Sequence, residues 1–320
     1  MVKLISIVTP CYNEEDNVEE LCARIATVMH AQPYDYEHIL IDNHSTDGTV
    51  ARVKAIAADD PRVKLIVNAR NFGHIRSPYY GILQSRGDAC VLIASDLQDP
   101  PEIIAEFIQR WEEGYKTVLA VKPESDETAF MFMLRKLYYR FVTAISEVPL
   151  VKNATGAGLF DREVVEILRK IQDPYPYFRG LVCEIGFPIA TVPFKQPRRK
   201  RGITKNNFYT LYDNAILGIT NHSKLPLRVM TIGGFGLSIL SFVTAICFLI
   251  AKLLFWNSFQ LGIAPILIGM FFFFAIQMFF LGLLGEYIGA IYTQVRQMPL
   301  VIELERVNLT LPATKNDPGA

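Results

Sequence analysis

VLIASDLQDPPE, residues 91–102, joins a hydrophobic run to a polar turn. Its hydrophobic first half has the length and composition of a buried strand, and it stops abruptly at Asp96, Gln98 and Asp99 before two prolines. The segment that follows, PEIIAEFIQRWEE, has the apolar spacing of a helix. A polar turn between a strand and a helix is either a ligand site or only the start of a proline-initiated helix.

The same succession of strand and helix recurs up to about residue 120. Because continuous apolar strands separated by helices indicate a parallel sheet covered on both faces, the predicted class is α/β with a doubly wound, mostly parallel sheet. The predicted strands are LISIVTP, EHILID, VKLIVN, ACVLIAS and KTVLAV, and helical segments such as EEDNVEELCARIATVMH and DGTVARVKAIAAD lie between them.

Polar side chains follow four of these predicted strands at the points where the strands end. In a sheet of this kind ligands bind outside the carboxyl ends of the strands, so these residues should meet at one edge. A single cluster has a simpler explanation, since STDG can be a helix N-cap with Asp47 in the first turn. Four clusters at one edge instead favour a pocket. The clusters are Pro10, Tyr12, Asn13 and Glu14; Asp42, Asn43, Ser45 and Asp47; Asn68, Arg70, Asn71 and Gly73; and Asp96, Gln98 and Asp99.

The first predicted strand is not followed by a glycine-rich phosphate loop, since neither GxGxxG nor GxxxxGK[ST] occurs there. A dinucleotide site or a P-loop site is therefore disfavoured. A phosphate-bearing ligand then needs a metal ion or basic side chains to neutralise it. Asp96 with Gln98 or Asp99 offers the hard oxygen ligands that hold Mg²⁺ or Mn²⁺ while substrate phosphates complete the shell.

Two long uncharged runs, residues 229–251 and 253–285, follow the α/β part. Each exceeds the roughly 20 residues that cross a bilayer as a helix. A polar break at residues 256–260 divides the second run, so the sequence predicts a hairpin of two transmembrane helices at residues 229–252 and 262–288. The alternative is a pair of buried core helices, which the length and all-round apolar character of ILIGMFFFFAIQMFFLGLLG disfavour.

The 32 basic and 32 acidic side chains cancel, so we expect no nucleic-acid partner. Basic residues instead cluster before the first predicted span, which by the positive-inside bias places both ends of the hairpin in the cytoplasm. The first ten residues run directly into a strand-like segment, and we expect no signal peptide. The five cysteines show no paired spacing, which fits a reducing compartment.

Six motifs together resemble the successive signatures of family 2 glycosyltransferases, in particular the polyprenyl-phosphate glycosyltransferases. This group includes bactoprenol glucosyltransferases and dolichol-phosphate mannose synthases. The resemblance covers about residues 4–230, and a following hairpin is typical of the bactoprenol branch. The motifs are VTPCYNEEDNVEEL, IDNHSTDGTV, NARNFGH, SRGDACVLIASDLQDPPE, YFRGLV and RGITKNNFY with NHSKLPLR.

The resemblance implies a nucleotide-sugar-binding, GT-A-like domain at residues 1–200. A basic and amphipathic juxtamembrane segment is expected at 201–228, where apolar residues at helical spacing fit either interfacial helices or a core-packed linker helix, and a cytoplasmic tail is expected at 289–320. A bacterial inner membrane is the implied location. The fourth motif would hold Mg²⁺ or Mn²⁺ on the diphosphate through Asp96, Gln98 and Asp99. The residues implied in nucleotide binding are Pro10, Tyr12, Asn13, Glu14, Asp42, Asn43, Asn71, Gly73 and Asp96.

The resemblance also implies basic residues that contact phosphate near the membrane. Arg201 and Lys205 match an RGxSK motif, and with Asp96 they are the implied catalytic residues. Independently of the resemblance, Arg135 on the helix-like segment LRKLYYRFV is, with Arg201 and Lys205, a candidate to hold the acceptor phosphate. The alternatives are a polybasic stripe attracted to anionic lipid and, for Arg135, a solvated or lipid-facing side chain.

The chain departs from this family pattern at two places. Relatives often read DxD at the fourth motif, where this chain has Ala94 in place of the first carboxylate. Relatives often read DDGS at the second motif, where this chain has Asn43 and His44 after Asp42. The first departure affects metal binding, and the second affects nucleotide preference.

The expected reaction is inverting transfer of a hexose, first glucose from UDP-glucose, to a polyprenyl (undecaprenyl) phosphate. Alternatives are a mannose synthase using GDP-mannose, and a membrane-anchored nucleotide-sugar-binding scaffold that has lost catalysis. A processive polysaccharide synthase is disfavoured, because the QxxRW motif of such enzymes is missing. Small residues in the predicted spans would permit a homo-oligomer: Gly233, Gly234, Gly236, Gly282, Gly285 and Gly289.

Overall fold

The computed structural model describes residues 2–122, 151, 153–171, 173–194, 225–254, 263–296 and 298–309, and these form eight strands and eight helices. The strands are β1 Leu4–Cys11, β2 Asp35–Asp42, β3 Val63–Asn68, β4 Ala89–Leu92, β5 Thr117–Val121, β6 Ala154–Asp161, β7 Ile189–Pro193 and β8 Glu303–Val307. The helices are α1 Val18–His30, α2 Thr49–Asp59, α3 Gly73–Gln84, α4 Ile103–Glu112, α5 Arg162–Lys170, α6 Phe178–Glu184, α7 Leu225–Leu254 and α8 Ile263–Val295.

The eight strands form one sheet in the order β7-β5-β6-β4-β1-β2-β3-β8. The pairs β4–β1, β1–β2, β2–β3 and β5–β7 are parallel. Strand β6 runs antiparallel to β4 and β5, and β8 runs antiparallel to β3. The predicted α/β class and mostly parallel sheet are therefore confirmed, and the two antiparallel strands are additions that the sequence did not predict.

Alternating side chains of the central strands enter cores on opposite faces of the sheet. On one face Ile5 and Ile7 pack with α1 and α4 through residues such as Phe107. On the other face Val8 packs with α3 and α5. Burial of one such large apolar side chain stabilises the fold by about 1.5–3 kcal/mol. Helices on both faces explain why the strands read as continuous apolar runs.

Local sequence fixes where two of the helices lie. Asp161 caps α5 by accepting a hydrogen bond from the backbone N–H of Glu163 at 2.9 Å. Helix α3 lies close against the sheet because residue 81 is glycine, since a Cβ at this position would be 2.6 Å from Val8 Cγ1. The close approach of α3 sets the position of its first turn at the carboxyl edge of the sheet.

A buried histidine, His38 of β2, gives the fold a pH dependence. It is 1% exposed, and Nε2 lies 3.0 Å from Thr9 Oγ1. Burial lowers the pKa of His38 to about 3. Because the unfolded chain binds the proton with a pKa near ~6.5, stability is lost as the pH falls from about 6.5 towards 3.

We expect this effect to disappear in His38→Gln. Between pH 7.5 and 5, His38 should cost the wild type about 2 kcal/mol in the free energy of unfolding, from ~1.5 pH units at ~1.36 kcal/mol each. Denaturant unfolding of both proteins at the two pH values measures the difference. Carboxyl groups titrate alike in both proteins, so the difference between the two losses reports on His38. An equal loss of unfolding free energy in the variant would show that His38 does not cause the pH dependence.

Two long helices, α7 and α8, follow the sheet domain. They expose large apolar side chains, among them Ile232 (73%), Phe235 (72%) and Phe279 (68%). By length and composition, one stretch within the described residues, Phe272–Val295 of α8, can cross a bilayer. The apolar stretch of α7, Val229–Thr244, is shorter. The predicted hairpin of two transmembrane spans stays a prediction.

The chain returns to the sheet after α8. Strand β8 pairs with β3, with Glu303 opposite Asn68 and Val307 opposite Leu65. The backbone N–H of Ala69 donates to the carbonyl of Ile302 at 2.8 Å. Because β8 is antiparallel to β3, it begins at the carboxyl end of β3. The segment from α8 therefore reaches the sheet at this edge.

Candidate active site

The loops that follow β1 and β2 are tied to each other at the carboxyl edge. Asn13 adopts φ 56, and its backbone N–H donates to Ser45 Oγ at 2.9 Å. Its Oδ1 accepts from the backbone N–H of Thr46 at 2.8 Å. Asp42 is 1% exposed, accepts from the backbone N–H of Ser45 at 2.8 Å and also accepts from the Ser45 hydroxyl. Burial raises the pKa of Asp42, and the hydrogen bonds from Ser45 oppose that rise.

Two further polar residues of these loops, Glu14 and Asp47, form hydrogen bonds near the starts of α1 and α2. Glu14 accepts from Asn17 Nδ2 at 2.6 Å, and its backbone N–H donates to Thr49 Oγ1 at 2.9 Å. Asp47 accepts from the backbone N–H of Thr49 at 3.0 Å. It precedes Gly48, the N-cap of α2, so the simpler explanation that places Asp47 in the first turn of the helix is wrong. Pro10 and Tyr12 lie half-buried at the end of β1. All four residues of the first cluster thus lie at the predicted edge.

Asn43 joins the second strand end to the third. Its Nδ2 donates to Asn71 Oδ1 at 2.8 Å and to the carbonyl of Gly73 at 3.2 Å. Its Oδ1 accepts from Asn68 Nδ2 at 3.2 Å and from the backbone N–H of Phe72 at 2.8 Å. The side chain is 7% exposed, so these four bonds occur with little water to replace them. Asn43 therefore sets the conformation of residues 71–73.

The fourth strand end forms a strained turn. Leu97 adopts φ 56, a left-handed conformation that is costly for a residue other than glycine. This turn brings the backbone N–H of Gln98 to 3.2 Å from Asp96 Oδ1. The side chain of Ser95 hydrogen-bonds the thiol of Cys11, which links the turn to the end of β1. The structure thus joins all four predicted clusters at one edge.

Asp99 follows this turn in the chain and is 6% exposed. It hydrogen-bonds the side chain of Thr155 at the start of β6, while its Oδ1 is buried without a hydrogen-bond partner. Burial raises the pKa of Asp99 to about 6, and the charge of Asp96 adds to the rise. Two neighbouring carboxylates and an unpartnered oxygen make a place where a cation is favourable.

These residues fit a divalent ion whose shell is completed by substrate. In the part of the chain that the structure describes, no three side chains of His, Cys, Asp or Glu come together as a metal site. Asp96 and Asp99 supply two carboxylates, and Gln98 adds an amide oxygen. Mg²⁺ is commonly held by one or two carboxylates together with substrate phosphates. The donor set matches that arrangement.

Three predicted residues, Arg135, Arg201 and Lys205, lie outside the described residues. The sequence assigned no role to Thr155, which hydrogen-bonds Asp99, or to Arg179, which donates to the carbonyl of Thr155. Arg179 belongs to the motif YFRGLV, so a signal for it existed. Thr155 had none, because its approach to Asp99 depends on the antiparallel pairing of β6 with β4.

Comparison with known proteins gives the family. A model described as "Glycosyl transferase family 2" matches residues 6–169, which is half of the chain. The chain belongs to this family. The resemblance carried by the six motifs is thereby confirmed, and the protein is a glycosyltransferase. This family 2 glycosyltransferase carries the four clusters within the matched residues.

Relatives match nearly the whole chain. An uncharacterized glycosyltransferase of Synechocystis sp. is 33% identical over 299 residues, which cover 93% of this chain and 94% of the relative. An SfII prophage-derived bactoprenol glucosyl transferase of Shigella flexneri is 32% identical over 301 residues, which cover 93% and 96%. A crystal structure of glucosyl-3-phosphoglycerate synthase from Mycobacterium tuberculosis matches at 22% identity and TM-score 0.43, covering 68% of this chain and 78% of that chain.

Proposed function

We propose that this glycosyltransferase moves a hexose, in the first instance glucose from UDP-glucose, to the phosphate of a polyprenyl (undecaprenyl) lipid at the cytoplasmic face of a membrane. The observation that supports the proposal is that the polar strand ends and the segment from α8 lie at the same edge of the sheet. The four polar strand ends meet where the segment from α8 reaches the sheet, at Ile302 and Ala69. A donor site beside a membrane helix suits a lipid acceptor. The name of the Shigella flexneri relative supports the same acceptor and sugar.

The donor nucleotide would lie across the first three strand ends. Hydrogen bonds from the backbone to Asn13, Asp42 and Asn43 hold their loops in place. Binding of the nucleotide should therefore cost little conformational entropy in these loops. The residues proposed to contact it are Pro10, Tyr12, Asn13, Glu14, Asp42, Asn43, Asn71, Gly73 and Asp96.

The fourth strand end would hold Mg²⁺ or Mn²⁺ through Asp96, with Gln98 and Asp99 as further ligands. When bound, the ion supplies positive charge against the diphosphate of the donor. Asp96 and Asp99 would bind and orient it, and the backbone N–H of Gln98 donates to the Asp96 carboxylate. Arg201 and Lys205, outside the described residues, are proposed to oppose the charge of the same leaving group.

The acceptor needs little activation by a base. A phosphate monoester has a second pKa near ~6 and is largely dianionic at neutral pH. Its oxygen forms a bond to the anomeric carbon while the bond from that carbon to the nucleoside diphosphate breaks, and the electron pair leaves with the diphosphate. Attack opposite to the leaving group inverts the configuration. Arg135, Arg201 and Lys205 are proposed to hold the acceptor phosphate.

The membrane part is proposed to be a hairpin with both termini in the cytoplasm, made of spans at residues 229–252 and 262–288 after a juxtamembrane segment at 201–228. The sheet domain would be residues 1–200 with the terminal part, 289–320, joined to it by β8. Exposed apolar side chains on α7 and α8, such as Phe235 and Phe279, support contact with lipid. The hairpin would keep the carboxyl edge of the sheet near the membrane surface.

A panel of nucleotide sugars tests the proposed donor and metal. The purified enzyme with undecaprenyl phosphate should release nucleoside diphosphate from UDP-glucose faster than from GDP-mannose, and only with Mg²⁺ or Mn²⁺ present. A chelator should remove the activity, and added Mn²⁺ should restore it. Full activity in chelator would contradict the metal assignment. Faster release from GDP-mannose would show that GDP-mannose, and not UDP-glucose, is the donor. No release with any donor would indicate a scaffold.

A further inference from the structure

The arginine of the motif YFRGLV lies at the same edge as the fourth strand end. Its neighbour Phe178 anchors the start of α6, because the ring packs edge-on against Tyr79 at 5.9 Å and Phe160 at 4.9 Å between centroids. Arg179 is exposed, and its Nη2 donates to the carbonyl of Thr155 at 2.7 Å. Because β6 is antiparallel to β4, Thr155 lies at the carboxyl end of β4.

The backbone of β6 is shaped so that the guanidinium can lie against it. Gly156 has φ +111, a conformation that other residues rarely adopt. A Cβ at residue 156 would be 3.6 Å from Arg179 Nη2 and 4.0 Å from Nε. These are van der Waals distances, so the guanidinium lies against the backbone of residue 156.

The position of Arg179 also places its charge beside the carboxylate cluster. Asp99 hydrogen-bonds the side chain of Thr155, and Arg179 bonds the carbonyl of the same residue. Asp99 and Arg179 therefore contact the same residue of β6. The bond to Thr155 uses one of the five N–H donors of a guanidinium. Among the described residues, Arg179 forms no ion pair with a carboxylate that would occupy the others.

We propose that Arg179 binds a phosphate group of one of the two reactants at the fourth strand end. This rests on the proposed function, in which both the donor and the acceptor carry phosphate. A guanidinium makes paired, charge-assisted hydrogen bonds to phosphate oxygens. The phosphate belongs either to the diphosphate of the donor or to the lipid acceptor. Binding and kinetic measurements distinguish these two sources.

The test compares Arg179→Gln and Arg179→Lys with Arg162→Gln in the full-length enzyme. Arg162 is a matched control, because its Nη1 also donates to a backbone carbonyl, that of Ser85, at 3.0 Å, and its side chain is 36% exposed. Ser85 precedes β4 and so lies at the opposite edge of the sheet. The measurements are the Kd for UDP and for GDP without lipid, the KM for undecaprenyl phosphate at saturating donor, and the Tm.

We expect Arg179→Gln to raise one of these constants about tenfold, with Arg179→Lys between it and the wild type, since a charged hydrogen bond is lost. A raised Kd for nucleotide assigns the donor diphosphate, and a raised KM for lipid alone assigns the acceptor. Arg162→Gln should lower the Tm at least as much and leave both constants unchanged. Constants within about twofold of wild type in Arg179→Gln, or equal changes in the control, overturn the proposal.

The measurements distinguish an error in the proposed function from an error in the proposed role of Arg179. A wild type that makes lipid-linked sugar while Arg179→Gln equals it in every constant overturns the role of Arg179 alone. A wild type that binds nucleotide but transfers sugar to no lipid overturns the proposed acceptor, and the Kd values still report on Arg179. A wild type that binds neither nucleotide overturns both.

Discussion

Asp96→Asn should lower kcat by a factor on the order of 10² to 10³ while the protein keeps its Tm. The amide oxygen of asparagine can still accept the Gln98 N–H bond that spans 3.2 Å, so the turn should survive. What is lost is the negative charge that attracts the cation at the donor diphosphate. Initial rates over a range of Mn²⁺ concentrations measure the effect, and the variant should need much more Mn²⁺.

Asp88→Asn is the matched control for this prediction. Asp88 is an exposed aspartate just before β4, at the end of the strand opposite to Asp96, and its Oδ2 accepts from the backbone N–H of Leu4 at 2.8 Å. Its kcat should equal that of the wild type. If Asp96→Asn had wild-type rates and a wild-type dependence on Mn²⁺, Asp96 would not be part of the metal site. Gln98→Ala and Asp99→Asn, titrated in the same way, identify which of the two completes the metal site.

Asn43→Asp should raise the KM for the nucleotide sugar by about tenfold to a hundredfold. The change keeps the shape of the side chain but turns the donor that faces Asn71 Oδ1 and the Gly73 carbonyl into an acceptor. Rotation of the Asn71 amide can relieve one contact only by giving up the bond from the Gly73 N–H to Asn71 Oδ1 at 2.8 Å. The loop at 71–73 should therefore shift away from the proposed nucleotide site.

A loss of stability alone would not distinguish this role, so the control is Asn308→Asp. Nδ2 of Asn308 likewise donates to two oxygens, the carbonyls of Ala57 at 2.7 Å and Val63 at 2.9 Å. These carbonyls lie away from the carboxyl edge. Asn308→Asp should lower the Tm without changing KM. If both variants lowered the Tm and neither changed KM, Asn43 would be a structural residue only.

The part of the fold that the sequence predicted is the part with continuous apolar runs. Strands β1 to β5 are buried on both faces or nearly so, which leaves an unbroken signal. The site followed from them, because polar residues after such strands must gather at one edge. The four clusters do meet there, and Asp47 lies before the N-cap of α2 instead of in its first turn.

The elements that the sequence did not predict lack such a signal. Strand β8, ELERV, is a charged edge strand, and charged residues on an edge carry no apolar run. Strand β6, ATGAGLFD, contains Gly156 at positive φ and Gly158, and glycines weaken a strand pattern. Arg179 could be noticed in its motif, but its contact with Thr155 depends on β6 and so could not be predicted from spacing.

The most direct test of the central claim is the identity of the product formed from a nucleotide sugar that carries a labelled hexose. The enzyme is placed in vesicles that contain undecaprenyl phosphate and Mn²⁺, and lipid and water phases are separated and identified by mass. We predict labelled polyprenyl-phosphate hexose in the lipid phase, one for each nucleoside diphosphate released. Label found only as free hexose in the water phase, for any donor, would contradict transfer to a lipid phosphate.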